Sequence, residues 1–536
     1  MNTRNRPEHM KQPSQTAPVA MAMKSTPVTH AMATNIVASW PQRPSFCPPG
    51  SHLDSRGECV PDAQSTDGHP LVQAAQNARL AEYERTVRAR FDGIVPALKR
   101  ISALQHEEDF VQRGQEIARE TLGFVLPAQV LQDSWVSTLD MKQLYGFSVL
   151  HTFRDLAAQL PLPLDSRAEE AENMTRFLIE CGFHEVDVSP CADGRLKGLL
   201  QYILRLPQRA VLRVQSHAGA MFDVEGNVKK WAETELRRFR EGLPTLPDAG
   251  TRYLKIAVYH YSSSDPTHEG CAAHGSNELG AAEAALNKLK ALRTAIENGF
   301  CCGASLATLL IGVDTDTDSI KIHIPDSKGE MSLYRLVDNA ELFEATKNMN
   351  AAQAREYILA AIDKAAQTVG WGQGEGAPEA GMRRLIARLF ENNCSQIAYV
   401  KSEHGGRYQD IGHQERFICV GEGFDELQLR NLTYLAQLYT VEEGAKDLDV
   451  GIKIFTGLNI RRGLPAPIAI HNRYDAGVPG ARERAIERCK RIHDAIHNRY
   501  RSLVEQGLIV CGLTIQAKTP GSPLEVVELV DEPVGH

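Results

Sequence analysis

The chain has 536 residues, of which 43% are hydrophobic and 24% charged, and its formal net charge is −8. This length exceeds what one hydrophobic core usually supports, so about three domains are expected, and the composition is that of a soluble globular protein without a nucleic-acid-binding charge pattern. No apolar run approaches the ~18 residues of a membrane span. Lys11 and Lys24 interrupt the short apolar stretches near the N-terminus, so no secretory signal is expected.

The eleven cysteines favour metal binding over a disulfide scaffold. Their number is odd, the chain is long and no export signal is visible, so a reduced protein in which some thiolates bind metal is expected. Four cysteines lie in apolar or helical runs and are predicted to be inert core residues: Cys394, Cys419, Cys489 and Cys511.

Residues 1–70 are predicted to form a disordered, basic, partner-binding tail. Up to residue 50 this segment is rich in Pro, Ser, Thr, Ala, Met and Gln, a composition that buries too little apolar surface to offset chain entropy. Its first 50 residues carry one acidic side chain, Glu8, against five basic ones: Arg4, Arg6, Lys11, Lys24 and Arg43. The tail is either inert or a basic arm that folds onto an acidic partner.

A small helical domain is predicted over residues 71–160. Leu80, Tyr83, Val87 and Phe91 recur at helical spacing with Arg and Glu between them, and Pro96 interrupts the pattern. No residue in this domain suggests chemistry.

Residues 161–385 alternate helices with β-branched runs, which predicts an α/β domain. A long amphipathic helix is predicted over 276–298, with Ser276 as its N-cap. The predicted strands are 183–189, 254–259, 308–313 and 320–324.

The α/β pattern recurs in residues 386–536, which predicts an internal duplication. RTAIENGF (293–300) aligns with HDAIHNRY (493–500), and Gly312 aligns with Gly512. Two further pairs of segments align upstream: 254–260 with 450–456, and 177–190 with 389–402. The glycine-rich stretch 370–381 between the two copies is expected to be a linker.

Three potential metal ligands stand out in the first copy. Cys191 and His260 each follow a predicted strand, and Cys271 lies in the turn-rich stretch after His260. Two thiolates and one imidazole are typical of a catalytic zinc site that leaves a fourth position for water, and strand ends are where α/β sheets place such sites. In the alignment Thr456 replaces His260 and no cysteine matches Cys271, so the second copy is expected to lack the metal.

Several neighbouring motifs allow a plainer interpretation. The run from Asp314 to Asp318 could bind Mg²⁺ or Ca²⁺, but a solvated hairpin turn is favoured between two strands. His268 and His274 could be spare ligands or proton shuttles, or simply loop surface. The pair Arg461-Arg462 could grip an anion, and an exposed loop is favoured.

The chain resembles a known enzyme family. The segment Cys191-Ala192-Asp193-Gly194-Arg195 resembles the C-x-D-[SG]-R signature of β-type carbonic anhydrases. The string HYSSSDPTHEGCAAHGSN, with FCCGASLATLLIGVDTDTD downstream, resembles their divergent carboxysome shell subclass, and the resemblance covers nearly the whole chain. Ten residues separate His260 from Cys271, instead of the H-x-x-C spacing of ordinary β-type enzymes, a long spacing that the shell subclass shares. Cys301 or Cys302 therefore stays an alternative third ligand.

The resemblance implies a fold and a function. The fold is α/β: a helical N-terminal domain, then a zinc catalytic domain, then a degenerate copy of it without a metal site. The function is reversible CO₂ hydration to bicarbonate by zinc-bound hydroxide, supplying CO₂ to Rubisco inside carboxysomes. The implied partners are Rubisco and shell proteins, and the implied assembly is a homo-oligomer, a dimer or an assembly of dimers.

The resemblance also assigns roles to individual residues. Zn²⁺ is the cofactor, Cys191, His260 and Cys271 are its ligands, and Asp193 and Arg195 are the catalytic pair. Asp193 accepts a hydrogen bond from the nucleophile, and Arg195 keeps Asp193 ionised and oriented. A zinc with two thiolates and one imidazole is formally neutral, so an activity that rises toward alkaline pH is expected.

Two other classes of function remain open from the sequence. One is a scaffold that keeps the fold and has lost catalysis. The other is a zinc-thiolate enzyme of different reaction type, such as a deaminase, although the H-x-E…P-C-x-x-C signature of that class is absent.

Overall fold

A computed structural model gives the fold. It describes residues 51–53, 59–61, 68–133, 139–210, 213–243, 251–300, 306–367, 376–409, 412–422, 424, 427–437, 441–519 and 522–528. None of the helices in these ranges combines the length and apolarity needed to cross a bilayer. Within the segment 1–70, a short antiparallel pair joins β1 (Ser51–Leu53) to β2 (Cys59–Pro61). The rest of the predicted tail up to residue 67 lies outside the described residues.

The N-terminal region is helical, as predicted. Its helices are α1 (Ala74–Asp92), α2 (Ile94–Ser102), α3 (Phe110–Thr121), α4 (Ala128–Asp133) and α5 (Met141–Gln159). Leu80, Val87 and Phe91 form part of the buried face of α1. Gly146 on α5 approaches the second sheet closely, because a Cβ there would lie 2.6 Å from the Val510 side chain. The helical region therefore packs directly on the C-terminal half of the chain.

The first sheet has six strands in the order β4-β3-β5-β6-β7-β8. Strands β3 to β6 are mutually parallel, and β7 and β8 pair antiparallel. The elements of this sheet and its helices are, in chain order, α6 (Ala168–Glu180), β3 (Phe183–Pro190), β4 (Arg213–Val214), α7 (Val224–Arg240), β5 (Arg252–Tyr261), α8 (Glu278–Phe300), β6 (Leu306–Asp314), β7 (Ile320–His323) and β8 (Leu336–Asp338). All four predicted strands are present, and their near-continuous burial suits a parallel sheet covered on both faces.

The predicted N-cap of α8 is wrong by one residue. Ser276 adopts a positive φ of 62°, and the helix begins at Glu278. Asn277 caps it, because its Oδ1 accepts a hydrogen bond of 2.9 Å from the Gly280 N–H. Both residues are good capping types, so the sequence alone does not separate them.

Three helices connect the two sheets: α9 (Asn339–Thr346), α10 (Ala351–Ala366) and α11 (Ala380–Glu403). Helix α11 is buried around most of its circumference and runs through the predicted domain boundary at residue 385. Of the predicted linker 370–381, residues 370–375 lie outside the described residues.

The second sheet has five strands in the order β10-β9-β11-β12-β13. Its elements are β9 (Phe417–Gly421), β10 (Thr433–Gln437), α12 (Val441–Leu458), β11 (Ala466–Tyr474), α13 (Ala481–Arg499), α14 (Arg501–Glu505), β12 (Ile509–Ala517) and β13 (Leu524–Glu528). Four strands are parallel and β13 pairs antiparallel, so the order and directions repeat those of β4 to β7. The fold is thus a helical N-terminal region followed by two related α/β sheets, as expected.

Both of the upstream segment pairs in the predicted duplication are wrong. Residues 450–456, aligned with strand β5, lie in helix α12, and residues 389–402, aligned partly with β3, lie in helix α11. The alignment error has a physical cause: a short run of apolar, β-branched residues is compatible both with a strand and with a buried helix. Leu448, Ile452 and Phe455 recur at helical spacing and fill the core against the second sheet.

The register of the sheets gives the true correspondence. The Cys191 N–H donates to the Val258 carbonyl at the end of β3, and the Glu422 N–H donates to the His471 carbonyl at the end of β9. Matching these strand ends makes β11 the counterpart of β5. The pairing of β5 with β6 and of β11 with β12 then makes Ile515 the counterpart of Gly312, so the predicted match of Gly312 with Gly512 is wrong by three positions. The loop between β5 and α8 spans 262–277, sixteen residues, whereas the loop between β11 and α13 spans 475–480, six residues. The second copy therefore lacks most of the segment that carries Cys271.

Candidate metal centre

Three predicted ligands converge at the carboxyl edge of the first sheet. Cys191 directly follows β3, His260 is the penultimate residue of β5, and Cys271 lies in the loop that follows. One ligand atom from each lies within 4.8 Å of the other two. The two Sγ atoms are 3.8 Å apart, and all three residues are buried. The spacing matches what a single metal ion requires of its donors.

His260 carries the clearest indication of a ligand. Its side chain is fully buried, and within the described part of the chain neither ring nitrogen finds a hydrogen-bonding partner in good geometry. Its Nε2 lies 3.6 Å from Asp193 Oδ2. Buried polar atoms are normally satisfied, so this imidazole beside two thiols fits a bound zinc, for which thiolate and imidazole are preferred donors.

The two thiols influence each other's ionisation. The contact with Cys271, together with burial, raises the pKa of Cys191 far above its usual value. The same contact lowers the pKa of Cys271. The pair thus shares one negative charge easily and resists a second, unless a cation is held between them.

Asp193 and Arg195 form a two-pronged ion pair beside the ligands. Arg195 Nε and Nη2 donate to Asp193 Oδ1 and Oδ2, each at 2.9 Å, and Arg195 Nη1 donates to the Glu269 carbonyl at 2.8 Å. Burial alone would raise the pKa of Asp193, but the guanidinium of Arg195 holds it well below the usual range. The carboxylate is therefore ionised and fixed in orientation.

Gly219 supports Cys191 and was not found by sequence analysis. Its N–H donates to Cys191 Sγ at 3.3 Å, an interaction that stabilises a thiolate. It adopts a positive φ of 65°, and an added Cβ would lie 2.6 Å from His274 Nε2. Conformation and crowding together require glycine here.

The run of aspartates at the β6–β7 turn anchors the loop that carries Cys271. Asp316 accepts hydrogen bonds from the Ser262 hydroxyl at 2.9 Å and from the Ser264 backbone and hydroxyl at 2.6 and 2.7 Å. Asp314 accepts from the Ser263 hydroxyl at 2.7 Å. The predicted hairpin turn is present, but its solvation was wrong: Asp314, Asp316 and Asp318 are buried. The serines of the loop bond both oxygens of Asp314 and Oδ2 of Asp316.

The second half of the chain contacts the turn at Gly194 directly. A Cβ on Gly194 would lie 2.5 Å from Glu415 Oε1, and the Asn431 N–H donates to the Gly194 carbonyl at 2.8 Å. Glu415 also bonds His413 Nδ1 at 2.9 Å, and although burial lowers the pKa of His413, Glu415 raises it above its usual value. Sequence analysis missed these residues because they meet Gly194 only in the folded chain.

The remaining candidates whose positions are described do not join the group of three ligand atoms. His268 is exposed on the loop and bonds Asp265, and Arg461 and Arg462 are exposed, as predicted. His274 is half-buried beside Gly219. The predicted core residues Cys394, Cys419, Cys489 and Cys511 are all buried, and no disulfide joins the cysteines whose side chains are described. The alternative ligands Cys301 and Cys302 lie outside the described residues.

The second sheet carries different side chains at the corresponding positions. Matching of the strand ends pairs Cys191 with Glu422 and His260 with Arg473. Thr456, aligned with His260 from sequence, lies on helix α12 and is not the counterpart. A carboxylate and a guanidinium replace a thiolate and an imidazole there.

Comparisons with known proteins agree on one family. Family models match residues 69–160 (carboxysome shell carbonic anhydrase, N-terminal), 173–413 (catalytic domain) and 414–531 (C-terminal). The carboxysome shell carbonic anhydrase of Halothiobacillus neapolitanus is 50% identical over 481 residues, covering 89% of this chain and 94% of that protein. Those of Parasynechococcus marenigrum (51% over 463 residues, 86% and 78% covered) and Prochlorococcus marinus strain MIT 9313 (47% over 470 residues, 87% and 90% covered) are similarly related. This chain belongs to the carboxysome shell carbonic anhydrase family.

Proposed function

We propose that this enzyme, a carbonic anhydrase of the carboxysome, hydrates CO₂ at a zinc site formed by Cys191, His260 and Cys271. The observation that carries the proposal is the convergence of two buried thiols and an imidazole beside an ionised carboxylate, where the ring nitrogens of that imidazole have no well-aligned hydrogen-bonding partner among the described residues. Bound zinc would supply an acidified water as the nucleophile, since three protein ligands leave a fourth position open.

The carboxylate of Asp193 orients the attacking water. Both of its oxygens accept hydrogen bonds from Arg195, so the side chain keeps one orientation. It can therefore accept a hydrogen bond from the water in one direction only. An ionised carboxylate accepts and does not donate, so it directs the lone pair of the water oxygen toward CO₂. Arg195 in turn is fixed by the Glu269 carbonyl and by the Thr315 hydroxyl at 3.3 Å.

The second sheet domain acts as a support without a metal at the corresponding position. Glu422 and Arg473 are poor substitutes for Cys191 and His260. Glu415 and Asn431, from the same half, hold the turn at Gly194. The paired domains would then supply in one chain what a dimer supplies in ordinary β-type enzymes, and homo-oligomers can be built from this unit.

In the carboxysome the useful direction is dehydration of bicarbonate to CO₂ for Rubisco. We assign contact with Rubisco to the basic part of the tail, residues 1–50, and association with the shell to the rest of the chain. The basic excess of the first 50 residues supports this assignment.

Zinc content and CO₂ hydration test the site in the full-length chain. Cys271→Ala is expected to hold one zinc per chain fewer than the wild type and to lose most of the activity, because one of the three donors is gone. Cys419→Ala is the matched control, since it also removes one buried thiol but lies in the second sheet. A zinc count in Cys271→Ala equal to that of the wild type would show that the third ligand is another residue, such as Cys301 or Cys302.

A further inference from the structure

A second group of metal-binding side chains lies in the C-terminal half, between α13 and β12. His493 and His497 are one turn apart on α13, and Cys511 lies on β12. One ligand atom from each of the three lies within 4.8 Å of the other two. This group shares no residue with the candidate catalytic site.

The fold explains why these three side chains meet. The buried face of α13 includes Cys489, Ile492 and Ile496, and each histidine follows one of those isoleucines by one position. The histidines therefore lie along the edge of the face that packs on the sheet. Cys511 belongs to the core beneath this helix, together with Leu513 and Ile515. Its thiol thus faces the helix that carries the two imidazoles.

We propose that His493, His497 and Cys511 bind one zinc ion. Two histidines at i and i+4 on a helix are a recurrent zinc-binding pair, and a thiolate completes a donor set that zinc prefers. The two imidazole rings lie with their centroids 3.9 Å apart, a separation at which two protonated rings would repel each other. Zinc binds imidazole through an unprotonated ring nitrogen, and both rings are near enough to offer one nitrogen each to the same ion.

The helix end adds to the attraction for a cation. His497 lies in the last turn of α13, where the carbonyl ends carry partial negative charge. The side chain of His493 is 22% exposed, which gives an ion access from solvent, whereas Cys511 is 1% exposed. An ion bound there would fasten the end of α13 to β12.

This site does not occupy the position that corresponds to the metal centre of the first sheet. That position lies at the carboxyl ends of the strands of the second sheet, where Glu422 and Arg473 replace Cys191 and His260. Cys511 is the third residue of β12, at the opposite, amino end of the sheet. The role we assign is structural, so hydration activity does not depend on it directly.

Zinc stoichiometry of the full-length chain tests the inference. After equilibration with Zn²⁺ and removal of loosely bound metal, the wild-type chain is expected to hold one zinc more than the double variant His493→Ala/His497→Ala and one more than Cys511→Val. Glu487→Ala/Arg491→Ala is the matched control, because it removes another exposed i, i+4 pair from α13. Cys419→Ala is the control for the thiol.

Because the count compares variants that all keep Cys191, His260 and Cys271, a failure of the catalytic-site proposal lowers every value equally and leaves the difference intact. In the Co²⁺-substituted chain, Cys511→Val is expected to remove part of the thiolate-to-cobalt absorption, which would persist in Cys419→Ala. Equal zinc content in the wild type and both site variants would overturn the inference. So would unchanged cobalt absorption in Cys511→Val.

Discussion

At the scale of single residues, Arg195 is expected to control the rate and not metal binding. Its guanidinium holds both oxygens of Asp193, a geometry that a lysine ammonium cannot reproduce. Arg195→Lys and Arg195→Ala should therefore keep zinc but lower CO₂ hydration by roughly 10²- to 10⁴-fold, the range for a lost acid–base or orienting group. Stopped-flow hydration assays with zinc analysis of the same samples measure both effects.

Release of Asp193 would also let its carboxylate turn toward the metal, since Oδ2 is already 3.6 Å from His260 Nε2. The double variant Asp193→Ala/Arg195→Ala should consequently be no slower than Arg195→Ala alone. A double variant as active as the wild type would contradict the orienting role of the pair.

Gly219 gives a second prediction, for metal affinity. Gly219→Ala adds a Cβ 2.6 Å from His274 Nε2 and strains a φ of 65°, so the N–H that donates to Cys191 Sγ should move away. We expect faster loss of zinc to a chelator. Gly242→Ala is the control, because Gly242 also has a positive φ, 72°, but no atom lies within 4 Å of its added Cβ. Equal zinc loss in both variants would mean that backbone strain alone explains the effect.

The sequence predicted the residues of the site unevenly. Cys191, Asp193 and Arg195 fall within five consecutive positions, so a local motif identifies them. Gly219 and Glu415 approach that motif from 28 and 221 positions away, counted from Cys191 and Gly194, and no local pattern marks them. Their roles depend on contacts that only the folded chain supplies.

At the scale of elements, the β6–β7 turn is expected to position the loop of Cys271. Asp316 accepts three hydrogen bonds from Ser262 and Ser264 at the start of that loop. Asp316→Ala should raise the zinc dissociation rate, because the loop would lose its anchor while Cys191 and His260 stay in place. Thr267→Ala is the control, since Thr267 bonds only within the loop. A dissociation rate unchanged in Asp316→Ala would assign the loop's position to other contacts.

Secondary-structure elements were predicted correctly where the length of an apolar run and its burial both fit one type of element. The strands of the first sheet are present, because long apolar β-branched runs between turn signals favour buried parallel strands. Helices α11 and α12 misled the alignment, because α11 is buried around most of its circumference and α12 contains a short apolar run, 450–456, that is equally compatible with a strand. The duplication itself is visible in strand order, a property that the aligned sequence segments reflect correctly only at α13.

At the scale of the whole molecule, the first 50 residues are expected to serve binding and not catalysis. They carry five basic side chains and one acidic one and precede the three predicted domains. Deletion of 1–50 should keep zinc and hydration activity but abolish association with Rubisco. Salt should weaken the intact complex, since the Debye length falls from about 10 Å at 0.1 M to about 3 Å at 1 M. Co-sedimentation with Rubisco across a salt series measures this.

Substitution of the five basic residues by glutamine is the matched control for that deletion, because it keeps the length of the segment and removes only its charge. Equal binding by the deleted and full-length chains would move the partner surface to the helical region or the second sheet domain. The predicted boundary between the catalytic domain and its copy, at residue 385, stays a prediction. Helix α11 continues through that residue without a break, so no change of secondary structure marks the boundary.

The contact of Glu415 and Asn431 with Gly194 has a consequence for how the enzyme responds to dilution. Both partners of this contact belong to one polypeptide, so their encounter is unimolecular and their effective concentration is set by the chain. A site assembled from two separate subunits loses activity as the subunits part at low concentration. Turnover per chain of this enzyme should stay constant through serial dilution, even where any larger assembly has come apart.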